Sequence, residues 1–263
     1  MAKSDSILRL RGKIKGIINY SINGKFYARA APEVVRQTLA TREAARDFGT
    51  ASRAARIIRH AIDQAVSTHF DGSFLNRLNK EMGVIVRDDI THPRGKRQVT
   101  TGSLQRLIGF RVNTKASIYS ETDTVRCHNG HIAVTVKAPH QGLSQADKYF
   151  RFRAIAICPD FALGMCKTFV SEYVDVPAGD VHPPIELIIP TPAGKAAIVM
   201  LEVIAAGDRG LRTTMRFQAT EVIAVMSARK AATVNTVYSE SPAISLPADI
   251  TGSLHLQQGP SPG

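Results

Sequence analysis

Arg42, Arg46, Arg53 and Arg56 recur at three-, four- and seven-residue spacings. On a helix those spacings gather side chains on one face. Guanidinium groups arrayed in this way can contact successive phosphates of a nucleic acid. A second basic cluster, Arg94-Gly95-Lys96-Arg97, follows some forty residues later, with Arg87 and His92 close by. It could add phosphate contacts. The competing reading of the stripe is the wet side of an amphipathic helix, or a face packed on acidic groups of another subunit. The competing reading of the second cluster is a solvated loop. No aromatic residues interleave with the arginines, as base stacking would require. No recognised DNA-binding motif is present.

Cys127, His128 and His131 form the pattern Cys-His-x-x-His. A zinc site needs about four convergent ligands, usually in short pairs. Cys158 and Cys166 are spaced poorly for that purpose. The expectation is three free thiols in a sheet, no metal and no cofactor. The chain also lacks Gly-x4-Gly-Lys-Ser/Thr, Gly-x-Gly-x-x-Gly, Gly-x-Ser-x-Gly and His-Glu-x-x-His. Each of those motifs places a phosphate cradle, a nucleophile or a metal pair where its chemistry needs it. The chain is therefore expected to be non-enzymatic. A hydrolase site assembled from distant residues is the third alternative.

Charge divides the chain of 263 residues unevenly. Residues 1–115 carry 22 Lys and Arg against 9 Asp and Glu, a net +13, whereas residues 116–263 carry 12 against 13, a net −1. The front part should attract polyanions or an acidic protein surface, and the back part should not. Aromatic residues are only 6% of the chain and Trp is absent. The core must then rest on Val, Ile, Leu and Ala. Three cysteines are an odd count and suggest a reducing compartment. The first ten residues contain no long apolar run, and no stretch reaches the roughly 18 apolar residues of a membrane span. A cytoplasmic protein with no membrane association is expected.

Several elements must position these residues. Asn23-Gly24 between Ile14–Ile22 and Lys25–Ala30 predicts a hairpin with a type I′ turn. That register opposes Tyr20 to Tyr27 and Ile22 to Lys25, so the two tyrosines stack on one face. A lone hairpin is marginal in water and must dock on something. Beyond Pro32, a long amphipathic helix is predicted, with Thr41 as its N-cap. Its apolar face is read as Ala44, Phe48, Ala51, Ala55, Ile58, Ile62 and Val66, opposite the arginines. A shorter helix is predicted over Ser73–Met82, and then a loop over Asp88–Ser103. From Leu104 the pattern becomes short β-branched runs. Strands are expected at Leu107–Asn113, Thr124–Cys127, His131–Ala138, Tyr149–Cys158, Lys167–Val176, Ile185–Ile189, Ala196–Ala206 and Thr213–Met226. Strands at this spacing with no helices between them indicate an antiparallel, immunoglobulin-like β-sandwich. The Ser/Pro/Gly-rich end, 239–263, is expected to be an extended or disordered tail.

Three segments carry a resemblance. They are Gly12-Lys13-Ile14-Lys15-Gly16 through Asn23-Gly24-Lys25 to Arg29; Arg46-Asp47-Phe48-Gly49-x-Ala51-Ser52-Arg53-Ala54-Ala55 through Ile58-Arg59; and Leu107-Ile108-Gly109-Phe110-x-Val112-Asn113. In this order the chain resembles a group of uncharacterised bacterial proteins abundant in Bacteroidota genomes. The group pairs a basic N-terminal segment with a β-rich C-terminal region. The resemblance implies an architecture over most of residues 12–226 and makes an enzyme less expected; it carries no functional residue.

The reading is an α+β chain. A basic hairpin-plus-helices module (1–103) precedes an antiparallel β-sandwich (104–238) and the tail. The expected function is a structural subunit that associates with copies of itself or decorates a larger assembly. Tyr20, Asn23, Gly24, Tyr27, Phe48 and Ile58 would form its interface. The alternative is a nucleic-acid-binding protein that uses Arg42, Arg46, Arg53, Arg56, Arg94, Lys96 and Arg97.

Overall fold

Asn23 and Gly24 both take positive φ, 50° and 77°, as a type I′ turn demands. In the computed structural model of the chain, which describes residues 2–3, 10–33, 36–99, 102–128, 130–137, 146–179, 182–190 and 196–226, this turn closes the centre of a four-stranded antiparallel sheet. The strands are β1 (Ala2–Lys3), β2 (Gly12–Ile14), β3 (Ile17–Ile22) and β4 (Lys25–Ala30), in the order β1-β4-β3-β2. Tyr20 pairs with Tyr27 and Ile22 with Lys25, the register expected from the turn. A second tight turn at Lys15 and Gly16, again with positive φ at both residues, adds β2. The tail expected over 239–263 lies outside the described residues.

Helix α1 (Leu39–Ala65) begins three residues earlier than a Thr41 cap would allow. The N-cap is Thr38, whose Oγ1 accepts a hydrogen bond from the Thr41 N–H at 3.2 Å. Over 27 residues it extends about 40 Å. Helix α2 (Phe74–Arg87) runs five residues past the expected end, because Ile85 and Val86 continue the apolar face of Phe74, Leu78 and Met82. A 3-10 turn at Gly102–Leu107 follows.

The remaining strands are β5 (Thr122–His128), β6 (His131–Val136), β7 (Tyr149–Asp160), β8 (Met165–Val170), β9 (Val174–Pro177), β10 (Ile185–Pro190), β11 (Ala197–Gly207), β12 (Gly210–Leu211) and β13 (Gln218–Met226). The one strand expected over Lys167–Val176 is two, β8 and β9, each pairing a different half of β7. Ser171, at the break, donates its N–H to the Ala154 carbonyl and accepts the Ala154 N–H on its hydroxyl. Leu107–Asn113 forms no ladder strand of its own. Residues 109–112 instead line the outer edge of β13 through Gly109 N–H to Val222 O, Val222 N–H to Phe110 O and Val112 N–H to Thr220 O. That covers an edge which would otherwise present unpaired backbone groups.

The strands form a three-stranded sheet, β10-β6-β5, and a six-stranded one centred on β11 and β7, both antiparallel. The chain is thus α+β with antiparallel sheets. The two sheets share one apolar cluster, in which Val134, Val136 and Leu187 meet Phe150, Phe152 and Val203. The opposite face of the larger sheet, with Ile155, Ile157, Ile198, Met200 and Val222, packs on Ala51, Ile58, Ile62, Leu78 and Met82 of the helices. The large sheet is therefore buried on both faces. This explains why β11 reads as one apolar run in which every residue but Gly207 is buried, whereas β6 alternates. The boundary expected between residues 103 and 104 falls within the second cluster, which draws residues from both sides of it. No helix among the described residues is long and apolar enough to cross a membrane.

Candidate assembly surface and basic face

Among the described side chains, none of β2, β3 or β4 belongs to either apolar cluster, and none of residues 10–33 is buried. Its two faces differ. Alternation along the paired strands puts Lys13, Ile18, Tyr20, Ile22, Lys25, Tyr27 and Arg29 on one face. The tyrosine rings stack there with centroids 5.7 Å apart. The other face collects Ile14, Ile17, Asn19, Ser21, Phe26, Ala28 and Ala30, and no charge. Ile14 and Ile17 are 43% and 47% exposed.

Helix α1 is phased differently from the expectation. Its buried residues are Asp47, Ala51, Ala54, Ala55, Ile58, Ala61, Ile62 and Ala65. Phe48 is 68% exposed and Ala44 is exposed as well. Ile58 is 1% exposed and lies inside the chain's own core. Of the two helix residues expected at an interface, Phe48 is therefore on the surface and Ile58 is not. The position expected for Phe48 is taken by Asp47. Its Oδ1 accepts the N–H of Gly95 at 2.9 Å and of Arg97 at 3.4 Å, and the Arg97 guanidinium approaches Oδ2 at 3.9 Å.

Asp47 thus clasps the second basic cluster against the helix. A second carboxylate, Asp89, holds the same loop from its other end. It accepts the Thr91 hydroxyl at 2.6 Å, the Gln98 N–H at 2.8 Å, the Thr91 N–H at 2.9 Å and contacts His92 Nδ1 at 2.7 Å. The Thr91 hydroxyl above all, then the Gln98 N–H, keep its carboxyl well below the usual carboxylate range. Gly95, at φ 82°, lies so close to Glu43 that a Cβ there would sit 3.1 Å from the Glu43 Cα. Both arms of the basic sequence, far apart in the chain, therefore meet at the N-terminal half of α1. Arg42, Arg46, Arg53, Arg56, Arg94 and Lys96 are exposed and Arg97 is half-buried.

A third polar group ties the end of α1 to the sheet. Glu202 projects from the middle of β11 with its side chain 1% exposed. Its carboxylate accepts the N–H of Ser67 at 2.6 Å and of Thr68 at 3.1 Å, and it pairs with Arg153 at 2.8 Å. Arg153 also donates to the Ala65 carbonyl at 2.6 Å and lies over the Tyr173 ring at 4.5 Å. Next to it, Thr68 and Thr220 share a 2.7 Å hydrogen bond, and the His69 N–H donates to Gln218 at 3.0 Å. Asp71 fastens the start of α2. Burial alone would raise its carboxyl, but hydrogen bonds from Ser73 and Thr114 outweigh that and hold it low.

A cleft of about 710 Å³ is lined by residues of β5 and of the larger sheet. Leu201, Val203 and Ile223 contribute its apolar lining. Its two cations are paired within it, Arg111 with Glu221 at 2.9 Å and Lys137 with Glu121 at 3.5 Å. Cys127 is half-buried on β5, the side chain of His128 lies outside the described residues, and His131 is exposed. No group of three metal-ligating side chains occurs among the described residues. Cys166 on β8 lies beside Cys158 on β7. Burial, and then the neighbouring Cys158, push its thiol up to about 12.

Of these features, Asp47, Asp89 and Glu202 were not anticipated from the sequence. Two carried a signal. Asp47 stands at helical spacing before Ala51, Ala54 and Ile58, and Glu202 is the one charge in the longest apolar run. The chain matches no protein-family model, no curated protein and no solved structure.

Proposed function

We propose that this chain is a non-enzymatic structural subunit that associates with a second copy of itself through the uncharged face of its N-terminal sheet. One observation carries the reading: a four-stranded sheet with an apolar face and no buried residue among residues 10–33. A sheet buries at least one face against another layer in stable folds. The charge pattern favours a like partner. All the cations among the paired residues of β2, β3 and β4 lie on the tyrosine face or at its rim, so two copies can stack Ile14 and Ile17 without bringing cations together. The tyrosine face, expected from the sequence to be the docking side, then faces outward. The rest of the chain acts as a cytoplasmic, immunoglobulin-like sandwich scaffold, on which the sheet is carried into the self-association or into a larger assembly.

The test is light scattering on the full chain, on a chain lacking residues 1–31, and on the full chain with Ile14→Lys and Ile17→Lys. Both altered proteins should lose oligomeric mass while the thermal unfolding of the body persists. Equal mass for all three would end the proposal. A loss caused by Tyr20→Ser with Tyr27→Ser, but not by the isoleucine changes, would move the contact to the other face.

A further inference from the structure

We infer that the exposed face of α1, together with the tip of the 94–97 loop, is a binding surface for the phosphodiester backbone of a nucleic acid. The inference does not depend on self-association. Arg77, Arg97, Arg106, Arg111, Arg151, Arg153 and Arg212 all form ion pairs with carboxylates. Arg11, Arg29, Arg36, Arg87, Arg126, Arg209 and Arg216 form none among the described residues, but they are scattered, whereas α1 gathers five unpaired arginines on one element. Arg42, Arg46, Arg53, Arg56 and Arg59 make no ion pair and no side-chain hydrogen bond among the described residues. The helix has three acids, Glu43, Asp47 and Asp63. Asp47 is buried and committed to the loop.

A solvated helix face ordinarily pairs its charges at i,i+4. This one instead recruits more cations. The Asp47 and Asp89 clasps hold Arg94 and Lys96 beside the helix, and neither has a carboxylate partner among the described residues. At 1.5 Å per residue, Arg42 to Arg56 covers about 21 Å, a span that meets several consecutive phosphates. Gly49 lies on the stripe between Arg46 and Arg53, and a Cβ there would meet nothing within 4 Å, so a backbone can come close.

The same cations could in principle meet an acidic protein. Protein interfaces, however, need an apolar, desolvated centre with cations at the rim. The centre of this stripe holds Gly49 and arginines. The large apolar side chains exposed on the same helix stand off that centre: Leu39 precedes the stripe at the first residue of the helix, and Phe48 is turned about 120° from Arg42 around it. Phosphate backbones need cations and access alone, which is what this face offers.

The experiment measures binding of a fluorescein-labelled 20-nucleotide DNA, single-stranded and duplex, to the nuclease-treated full chain between about 50 and 200 mM salt. The native chain should bind with a steep negative slope of log affinity on log salt. Changing Arg42, Arg46, Arg53 and Arg56 to Gln should flatten that slope by about 3, at roughly 0.7–0.9 for each phosphate contact, and weaken binding at low salt by roughly a hundredfold or more. These side chains are exposed, so circular dichroism should show the fold intact. Arg94→Gln with Lys96→Gln should flatten the slope further. A charge-matched control, Lys13, Lys15, Lys25 and Arg29 to Gln, should leave it unchanged. The inference is overturned by no binding at 50 mM salt, by an unaltered slope in the four-arginine variant, or by an equal effect of the control. Polyglutamate competing as well as DNA at equal charge would also overturn it, in favour of an acidic protein partner.

Discussion

Replacing Glu202 by Gln should show how firmly the helical layer is held to the sheet. The substitution keeps the side-chain size and removes one charge. The native carboxylate is 1% exposed and its partner Arg153 is 12% exposed. The amide oxygen of Gln can still accept the Ser67 and Thr68 N–H groups, so those donors need not be orphaned. The Arg153 guanidinium keeps the Ala65 carbonyl and the Tyr173 ring but loses the one carboxylate that pairs with it among the described residues. Removing one partner of a buried pair typically costs about 3–5 kcal/mol, because a charge is left behind in a poorly solvated site. For a domain of this size that corresponds to a fall in Tm of about 6–20 °C. Urea unfolding at fixed protein concentration measures it directly. Arg153→Gln alone should cost a comparable amount, and the double change less than the sum of the two, since no lone charge remains. A loss below about 1 kcal/mol for Glu202→Gln would refute the reasoning. It would mean that water reaches the pair, and that apolar packing alone joins α1 to the sheet.

Ile58→Ala should cost about 2–5 kcal/mol as a buried truncation, whereas Phe48→Ala should stay within about ±0.5 kcal/mol of the parent. The opposite ranking in chemical denaturation would place Phe48 in the core and overturn the observed phase of α1. The thiols should divide by environment. At pH 8 the Cys166 thiol, pushed up to about 12, is almost wholly protonated, and Cys158 is buried. Iodoacetamide followed by mass spectrometry should therefore find one fast thiol, Cys127, and two slow ones. Cys166 reacting as fast as in the denatured chain would contradict this. Elemental analysis showing one zinc per chain would contradict the three-free-thiol expectation.

The elements legible in the sequence are those decided by neighbours a few residues apart. Asn23-Gly24 dictates its own turn, and through the two-residue loop it dictates that Tyr20 faces Tyr27. Ile132, Val134 and Val136 alternate because one face of β6 is covered. The existence of both helices is likewise local. What tertiary structure decided is which face each element turns inward. Alanines spread around much of α1, so its apolar arc has no sharp centre, and the large Phe48 misleads as a marker. The loop around Gly95 supplies donors to Asp47, and that long-range match rotates the buried face away from Phe48. For the same reason the N-terminal half of the chain could not announce that its helices would cover the second face of the sheet. Nor could it announce that Glu202 would find Arg153 and the end of α1 in the interior. A buried charge is tolerable only when partners arrive from elsewhere in the chain, and their arrival is a property of the fold.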